Sequence, residues 1–351
     1  MKIKTIILSL VSVPFIAACS GDDLEQYAQS ADNANEIGFM SKTENVTRSY
    51  SLENPHPATM GVFGYHDLSG VNIKKANYII FNNKKVSYNE DGAWTYSPVR
   101  FWPEYSDFNS FDFFGYMPYV DGGATLTYFD RGYTLSFNAT LTTAAIKEGT
   151  NLPLICHFPH HKDAPGKIVN FDMDQTTTGF QLKFKLGTKM SNVREFEITK
   201  VVVSGNIPNK GKISRTYTCD DNGVWKNDVT APIVWSNVET TAMALNITNE
   251  GGNLSLSDDT FHEWGSPFFA IPVESFAPTI KVTYNVKVAD KGTVTRENVT
   301  NSIIFNKTNF ANLKKQGLTP GKINSLEIAI VPDHLYILAD DDQYIGYLVM
   351  E

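Results

Sequence analysis

The chain has 351 residues, with 38 acidic against 30 basic side chains and a formal net charge of −8. That balance argues against nucleic acid or an anionic lipid surface as a partner, since both require a basic face. Three cysteines are too few to form a disulfide framework.

The first eighteen residues set the compartment. Lys2 and Lys4 precede an apolar run, Ile6 to Ile16, interrupted only by Ser9, Ser12 and Pro14, and then comes Ile16-Ala17-Ala18-Cys19. A charged start, a short greasy middle and small residues at the end describe a secretory signal peptide over 1–18. The run is far shorter than the roughly twenty residues a helix needs to span a bilayer. A cysteine directly after Ala17-Ala18 makes a lipobox, which predicts that Cys19 becomes the acylated first residue of the mature chain; an ordinary signal peptide with an incidental cysteine is the other reading. Loss of Lys2 and Lys4 then leaves 28 basic residues and a net charge near −10. Residues 19–35 stay polar, cannot bury a core, and read as a solvated tether.

Beyond the tether, helical periodicity is nearly absent. Short runs rich in Val, Ile, Phe, Tyr and Thr recur between Gly, Pro, Asn and Asp, which predicts an all-β chain of sandwich type. In the first half the expected strands are Glu36–Met40, Met60–His66, Tyr78–Phe81, Lys84–Asn89, Trp94–Tyr96, Ser110–Met117, Thr125–Tyr128 and Thr134–Phe137. Asn89-Glu90-Asp91-Gly92 reads as a hairpin turn. Asn151 to Gly166, with Pro153, Pro159 and Pro165, breaks the pattern and is the expected boundary, giving domains over 36–162 and 163–333. Two units suit the length, because single cores rarely grow past about 250–300 residues.

In the second half Lys167–Met173 is followed by Phe180–Leu186. There Phe180, Leu182, Phe184 and Leu186 alternate with Gln181, Lys183 and Lys185, so one face should be buried and the other wet. Strands are expected at Glu195–Val203, Lys212–Thr218, Ala242–Ile247, Phe268–Ile271, Thr279–Val288, Asn301–Phe305 and Asn324–Val331, with a short helical turn at Asn309–Gly317. The tail, 334–351, holds two β-prone pieces, Leu335–Leu338 and Tyr344–Met350, separated by Asp340-Asp341-Asp342. An apolar strand at a free terminus is exposed-edge material unless something covers it.

Few residue sets suggest chemistry. His157, His160 and His161 are the nearest approach to a metal site, but adjacent His160 and His161 diverge in extended chain, so solvated histidines are the expectation. Asp340–Asp342 lacks the spaced oxygens of a calcium loop. No nucleophile elbow, phosphate loop or His-Glu-x-x-His occurs, and neither an enzyme nor a cofactor is expected. Trp94, Tyr96, Phe101, Trp102, Phe111, Phe113, Phe114 and Tyr116 could form a sugar-stacking platform, although a dense aromatic cluster is usually core. An oxidising compartment would allow Cys156 and Cys219 to pair.

Several blocks, in order, resemble the fimbrillin family of pilus subunits from gut and oral anaerobes. They are the lipobox with the acidic stretch after it, Ile37-Gly38-Phe39, Val46-Thr47-Arg48-Ser49, Met60-Gly61-Val62-Phe63-Gly64-Tyr65, Gly92-Ala93-Trp94-Thr95-Tyr96-Ser97-Pro98, Phe101-Trp102-Pro103, and Phe111-Asp112-Phe113-Phe114-Gly115-Tyr116-Met117-Pro118-Tyr119. Coverage is best from Cys19 to about Leu186.

The resemblance implies two tandem transthyretin-like (Greek-key) β-sandwiches, and export and acylation by the lipoprotein machinery. It also implies an outer-membrane lipid anchor on the cell surface and a role in adhesion. An arginine-specific protease would cut after Arg48, leaving Ser49 first. The lost first strand would be replaced by a strand from another pilin subunit, with Tyr344, Ile345, Gly346, Tyr347, Leu348, Val349 and Met350 as the candidate donor. The alternative is a surface glycan-binding lipoprotein of a nutrient-uptake system; a β-sandwich hydrolase would need a carboxylate pair in a cleft.

Overall fold

The computed structural model describes residues 36–42, 57–68, 78–102, 108–129, 132–161, 168–186, 194–218, 231–257, 260–274, 276–288, 294–305, 318–331, 334–339 and 346–349. In the first half these form β1 (Phe39–Lys42), β2 (Thr59–Leu68), β3 (Tyr78–Tyr88), β4 (Trp94–Thr95), β5 (Phe108–Met117), β6 (Ala124–Phe129), β7 (Gly132–Thr140), α1 (Thr143–Glu148), β8 (Leu154–His161), β9 (Val169–Asp172) and β10 (Asp174–Gln175). The second half contributes β11 (Thr178–Leu186), β12 (Arg194–Thr218), β13 (Val234–Ile247), β14 (Leu254–Leu256), β15 (His262–Ala270), β16 (Thr279–Val288), β17 (Val294–Ile304), β18 (Ile323–Val331), β19 (His334–Ala339) and β20 (Gly346–Val349). Among the described residues the fold is all-β apart from α1; the helical turn expected at Asn309–Gly317 lies outside them.

A six-stranded sheet runs β10-β8-β5-β2-β3-β4, and beside it β1 and β9 pair in parallel. A second sheet runs β17-β16-β12-β7-β6 with β13 and β14 added along β12, and a third runs β15-β11-β18-β19-β20. In β5, successive side chains fall on opposite faces. Phe111, Phe113 and Met117 enter a core shared with Ile37, Phe39, Val169 and Phe171, whereas Phe114 and Tyr116 enter a core shared with Tyr133, Phe137, Ile213 and Tyr217. β5 is therefore buried on both faces, as period-two geometry requires of a strand between two packed layers. The third core lies between the sheet of β11 and the sheet of β12, around Phe180, Phe184, Val201, Phe268, Ile280 and Leu326.

Four local features depart from the expected pattern. First, Tyr78–Phe81 and Lys84–Asn89 are one strand, β3, carried through Asn83 at φ 49° with a shift of register against β2. Asparagine tolerates this left-handed region, and its amide is used, donating to Val120 O (3.2 Å) and accepting from Tyr116 Oη (2.7 Å). Second, Glu195–Val203 and Lys212–Thr218 belong to one strand of 25 residues. β12 passes through Gly205 and Pro208 because its neighbour changes there: β16 pairs with residues 194–204 and β7 with residues 210–218. Third, the Asn151–Gly166 break contains β8, an inner strand. Pro159 fits because β5 pairs with the whole of β8 whereas β10 reaches only Leu154 and Ile155, leaving Pro159 on an edge that needs no amide donor. Fourth, α1 was not expected. Thr142 Oγ1 accepts from Ala145 N (3.1 Å), Gly149 closes the helix at φ 73°, and Ala145 and Ile146 are buried.

The sheets do not part at residue 162. β9 and β10 lie after it yet pair with β1 and β8, while β7 lies before it and pairs with β12. The halves are also tied by side chains. The Arg215 guanidinium on β12, 6% exposed, pairs with the Asp174 carboxylate on β10 and lies 5.5 Å from the Tyr217 ring centroid, and Trp235 Nε1 donates to Thr176 O (2.8 Å). Burial pushes the Tyr217 hydroxyl far above its usual range. Phe180–Leu186 alternates as expected, with one exception: Gln181 is 5% exposed, its amide held by the carbonyls of Leu182, Trp264 and Gly265.

Candidate functional site

β1 is short, but the segment 36–42 that contains it is built in from both sides. Backbone groups of successive strand residues point to opposite edges, and here each edge finds a partner. Ile37 N donates to Arg100 O (2.9 Å), Ile37 O accepts from the Tyr96 hydroxyl (2.8 Å), and Glu36 bridges Phe101. On the other edge Val169 N donates to Gly38 O (2.9 Å), and Phe39, Met40, Ser41 and Lys42 align with Val169, Asn170, Phe171 and Asp172. Burial pushes the Tyr96 phenol up to about 12, which keeps it protonated and a donor across the physiological range.

The side chains point the same way. Ile37 is 0% exposed and Phe39 5%. The Phe39 ring lies edge-on to Phe81 and Tyr96 (5.5 Å each) and flat against Phe171 (5.9 Å). Burying two such side chains contributes about 3–6 kcal/mol before the cost of ordering the strand. Without residues 36–42, two pockets would empty and the Val169 amide would lose its Gly38 acceptor, while the Tyr96 hydroxyl would keep only its contacts with the Arg100 backbone. Unpaired backbone in a buried cleft is costly and is readily paired by another extended chain.

Of the expected site residues, Cys19, Arg48, Ser49, Tyr344, Ile345 and Met350 lie outside the described residues. Gly346, Tyr347, Leu348 and Val349 form β20, which pairs antiparallel with β19 through Gly346↔Ile337 and Val349↔His334. The described part of the candidate donor segment, residues 346–349, is thus paired into the chain's own sheet at its end, docked rather than free.

The aromatic residues considered for sugar stacking are mostly interior. Trp102, Phe111, Phe113, Phe114 and Tyr116 are buried, Trp94 and Tyr96 are half-buried, and Phe101 is exposed. Their rings pack on one another, for example Trp102 on Phe111 (5.2 Å) and Phe113 (5.8 Å). His157, His160 and His161 belong to the backbone of β8, and among the described residues no cluster of three or more His, Cys, Asp or Glu is placed to hold a metal ion. Cys156 is a buried free thiol raised well above its usual range by burial; Cys219 lies outside the described residues. Among the described residues no helix is long and apolar enough to cross a membrane.

No protein-family model matches the sequence, and no curated protein matches it. The fold is similar to that of a fimbrial protein from Bacteroides vulgatus, with a TM-score of 0.53 over 87% of this chain and 98% of that one, at 17% identity. A candidate cell adhesion protein from Bacteroides uniformis (TM-score 0.45, 12% identity, 89% and 98% covered) and the C-terminally truncated tip fimbrial protein Mfa3 from Porphyromonas gingivalis (0.39, 8%, 87% and 98%) are also similar. The first likeness carries the fold; the weaker two add no argument.

Proposed function

We propose that this chain is a fimbrillin-type structural subunit of a surface pilus that contributes to adhesion. It is exported through its signal peptide, acylated at Cys19 and anchored in the outer membrane. An arginine-specific protease removes the segment ending at Arg48, and other pilin subunits complete the emptied sandwich by donor-strand exchange. The observation that supports this reading is the seat of residues 36–42: Glu36 and Ile37 are bonded to Phe101, Arg100 and Tyr96, β1 pairs with β9, and the Phe39 side chain is set among four aromatic rings. Six residues after β1 comes Arg48, so one cut there separates the filler from the sandwich. The fold likeness to a fimbrial protein supports the same reading.

The test is N-terminal sequencing of assembled surface material. Subunits beginning at Ser49 are the expected result. Assembled subunits that all begin at Cys19 contradict the processing step.

A further inference from the structure

A cut after Arg48 parts the first strand from the sandwich covalently and leaves its seat untouched. Water adds across the Arg48–Ser49 bond, giving a carboxylate on Arg48 and an amine on Ser49. The described partners of residues 36–42 lie beyond that bond. They are Tyr96, Arg100 and Phe101 on one side, Val169 to Asp172 on the other, and Phe81, Phe113 and Phe171 around the Phe39 ring. The piece cut off also carries Cys19, so lipid and strand leave the body together or not at all. We infer, resting on the acylation and processing proposed above, that cleavage and membrane release are separate steps. The severed strand stays seated and holds the body to its own lipid-bearing piece until residues 36–42 are displaced, and the Tyr96 hydroxyl is the latch on that seat.

The latch is a closed set of hydrogen bonds between two short segments. Arg100 N donates to Tyr96 Oη (3.2 Å), Tyr96 Oη donates to Ile37 O (2.8 Å), and Ile37 N donates to Arg100 O (2.9 Å). The other acceptor near the phenol, Arg100 O, is more distant at 3.3 Å. Bonds joined in this way polarise and strengthen one another. The same side chain grips the next core position. Its ring lies edge-on to Phe39 at 5.5 Å and is backed by Phe81 at 5.2 Å. Ile37 is fully buried, so water cannot take over its backbone bonds until its side chain has left the pocket. Bonds and pocket are therefore lost in one step, which makes departure slow.

Retention keeps cut subunits from pairing at random. An emptied sandwich would present unpaired strand edges, which are templates for any extended chain nearby. With its strand still seated, a cut subunit keeps that cleft closed and remains at the membrane. The strand that displaces residues 36–42 fills the cleft and frees the subunit from its anchor in the same event.

The test uses the full-length lipidated chain in phosphatidylcholine vesicles, cut with an arginine-specific protease. Mass spectrometry follows cleavage, and flotation follows attachment to the vesicles. The body beginning at Ser49 should float with the vesicles after the bond is cut and leave them in a slower phase. Tyr96→Phe keeps the ring and removes the hydroxyl, and should speed that phase about fivefold. Tyr116→Phe removes a hydroxyl bonded to Asn83 Oδ1 (2.7 Å) on the side of the other core, and should leave the slow phase unchanged. Release that keeps pace with cleavage overturns the retention. Equal release rates for the two variants overturn the latch. A chain that does not float before the protease is added contradicts acylation, and one left uncut after Arg48 contradicts processing; either result removes this inference with the reading it rests on.

Discussion

The Phe39 ring stacks on the Phe171 ring, with centroids 5.9 Å apart and planes 5° from parallel. The two residues are diagonal neighbours across the parallel β1–β9 pair, since Phe39 aligns with Val169 and Phe171 lies two residues further on. This contact joins the first strand to a segment far along the chain, and its loss is the event on which the proposed assembly turns.

Phe39→Ala in the unprocessed chain should cost about 3–5 kcal/mol, because it empties a pocket whose walls are rings fixed by their own packing. Met40→Ala, on the half-buried outer side, should cost less than about 1 kcal/mol. Urea unfolding followed by tryptophan fluorescence measures both; equal effects would contradict the pocket description.

Gly61→Ala should destabilise by about 1–3 kcal/mol or more. The new Cβ would sit 2.1 Å from Tyr116 Cε1, and that ring cannot swing aside because its hydroxyl is bonded to Asn83 Oδ1 and to the Val120 backbone. Tyr116→Ala, itself destabilising, should abolish the added cost of the Gly61 substitution; a double-mutant thermal unfolding cycle measures the coupling.

Asp174→Ala should lower stability by about 1–3 kcal/mol, less than a fully buried pair would lose, because the Asp174 side chain is 44% exposed while Arg215 is 6% exposed. Most of that cost comes from stranding the Arg215 charge between the halves. The double substitution Asp174→Leu with Arg215→Met should recover much of the loss. Thermal unfolding of the three variants separates the two contributions.

Glu197 accepts from Lys287 Nζ (2.8 Å) and Asn285 Nδ2 (3.2 Å), and the Lys287 bond chiefly holds its carboxyl below the usual range. A depressed folded value means that this stability is present above the unfolded value, about 4.3, and is lost as pH falls through the lower folded value. Lys287→Met should therefore cost about 1 kcal/mol or less at pH 7, and the gap from the parent should close in acid. A gap that persists unchanged below the folded value would assign the effect to packing of the lysine stem.

The sequence was most legible where a local rule decided the outcome. Alternation placed β11, and Asn89-Glu90-Asp91-Gly92 is a turn in which Gly92 takes φ 82° and Ala93 N donates to Asn89 Oδ1 (2.8 Å). It was least legible where a distant partner overrode a local signal. Pro159 reads as a breaker until β5 is seen to pair with β8 along its whole length, and Gly205 and Pro208 read as ends until β12 is seen to change neighbours there. The site followed the same division. A strand was legible at Glu36–Met40, although β1 itself is Phe39–Lys42 and shares only Phe39 and Met40 with it, whereas the Tyr96 hydroxyl and the Arg100 carbonyl that hold Ile37 carry no sequence signature, because both act through contacts made only in the folded chain.

Assembly itself gives the most direct test of the central claim. A chain ending at Ala339 keeps β18 and β19 but lacks the proposed donor. Surface material from cells making only this chain, separated by size without boiling, should contain monomers and no ladder of polymers. Polymers of normal length from the shortened chain would show that the neighbour's tail does not complete the sandwich.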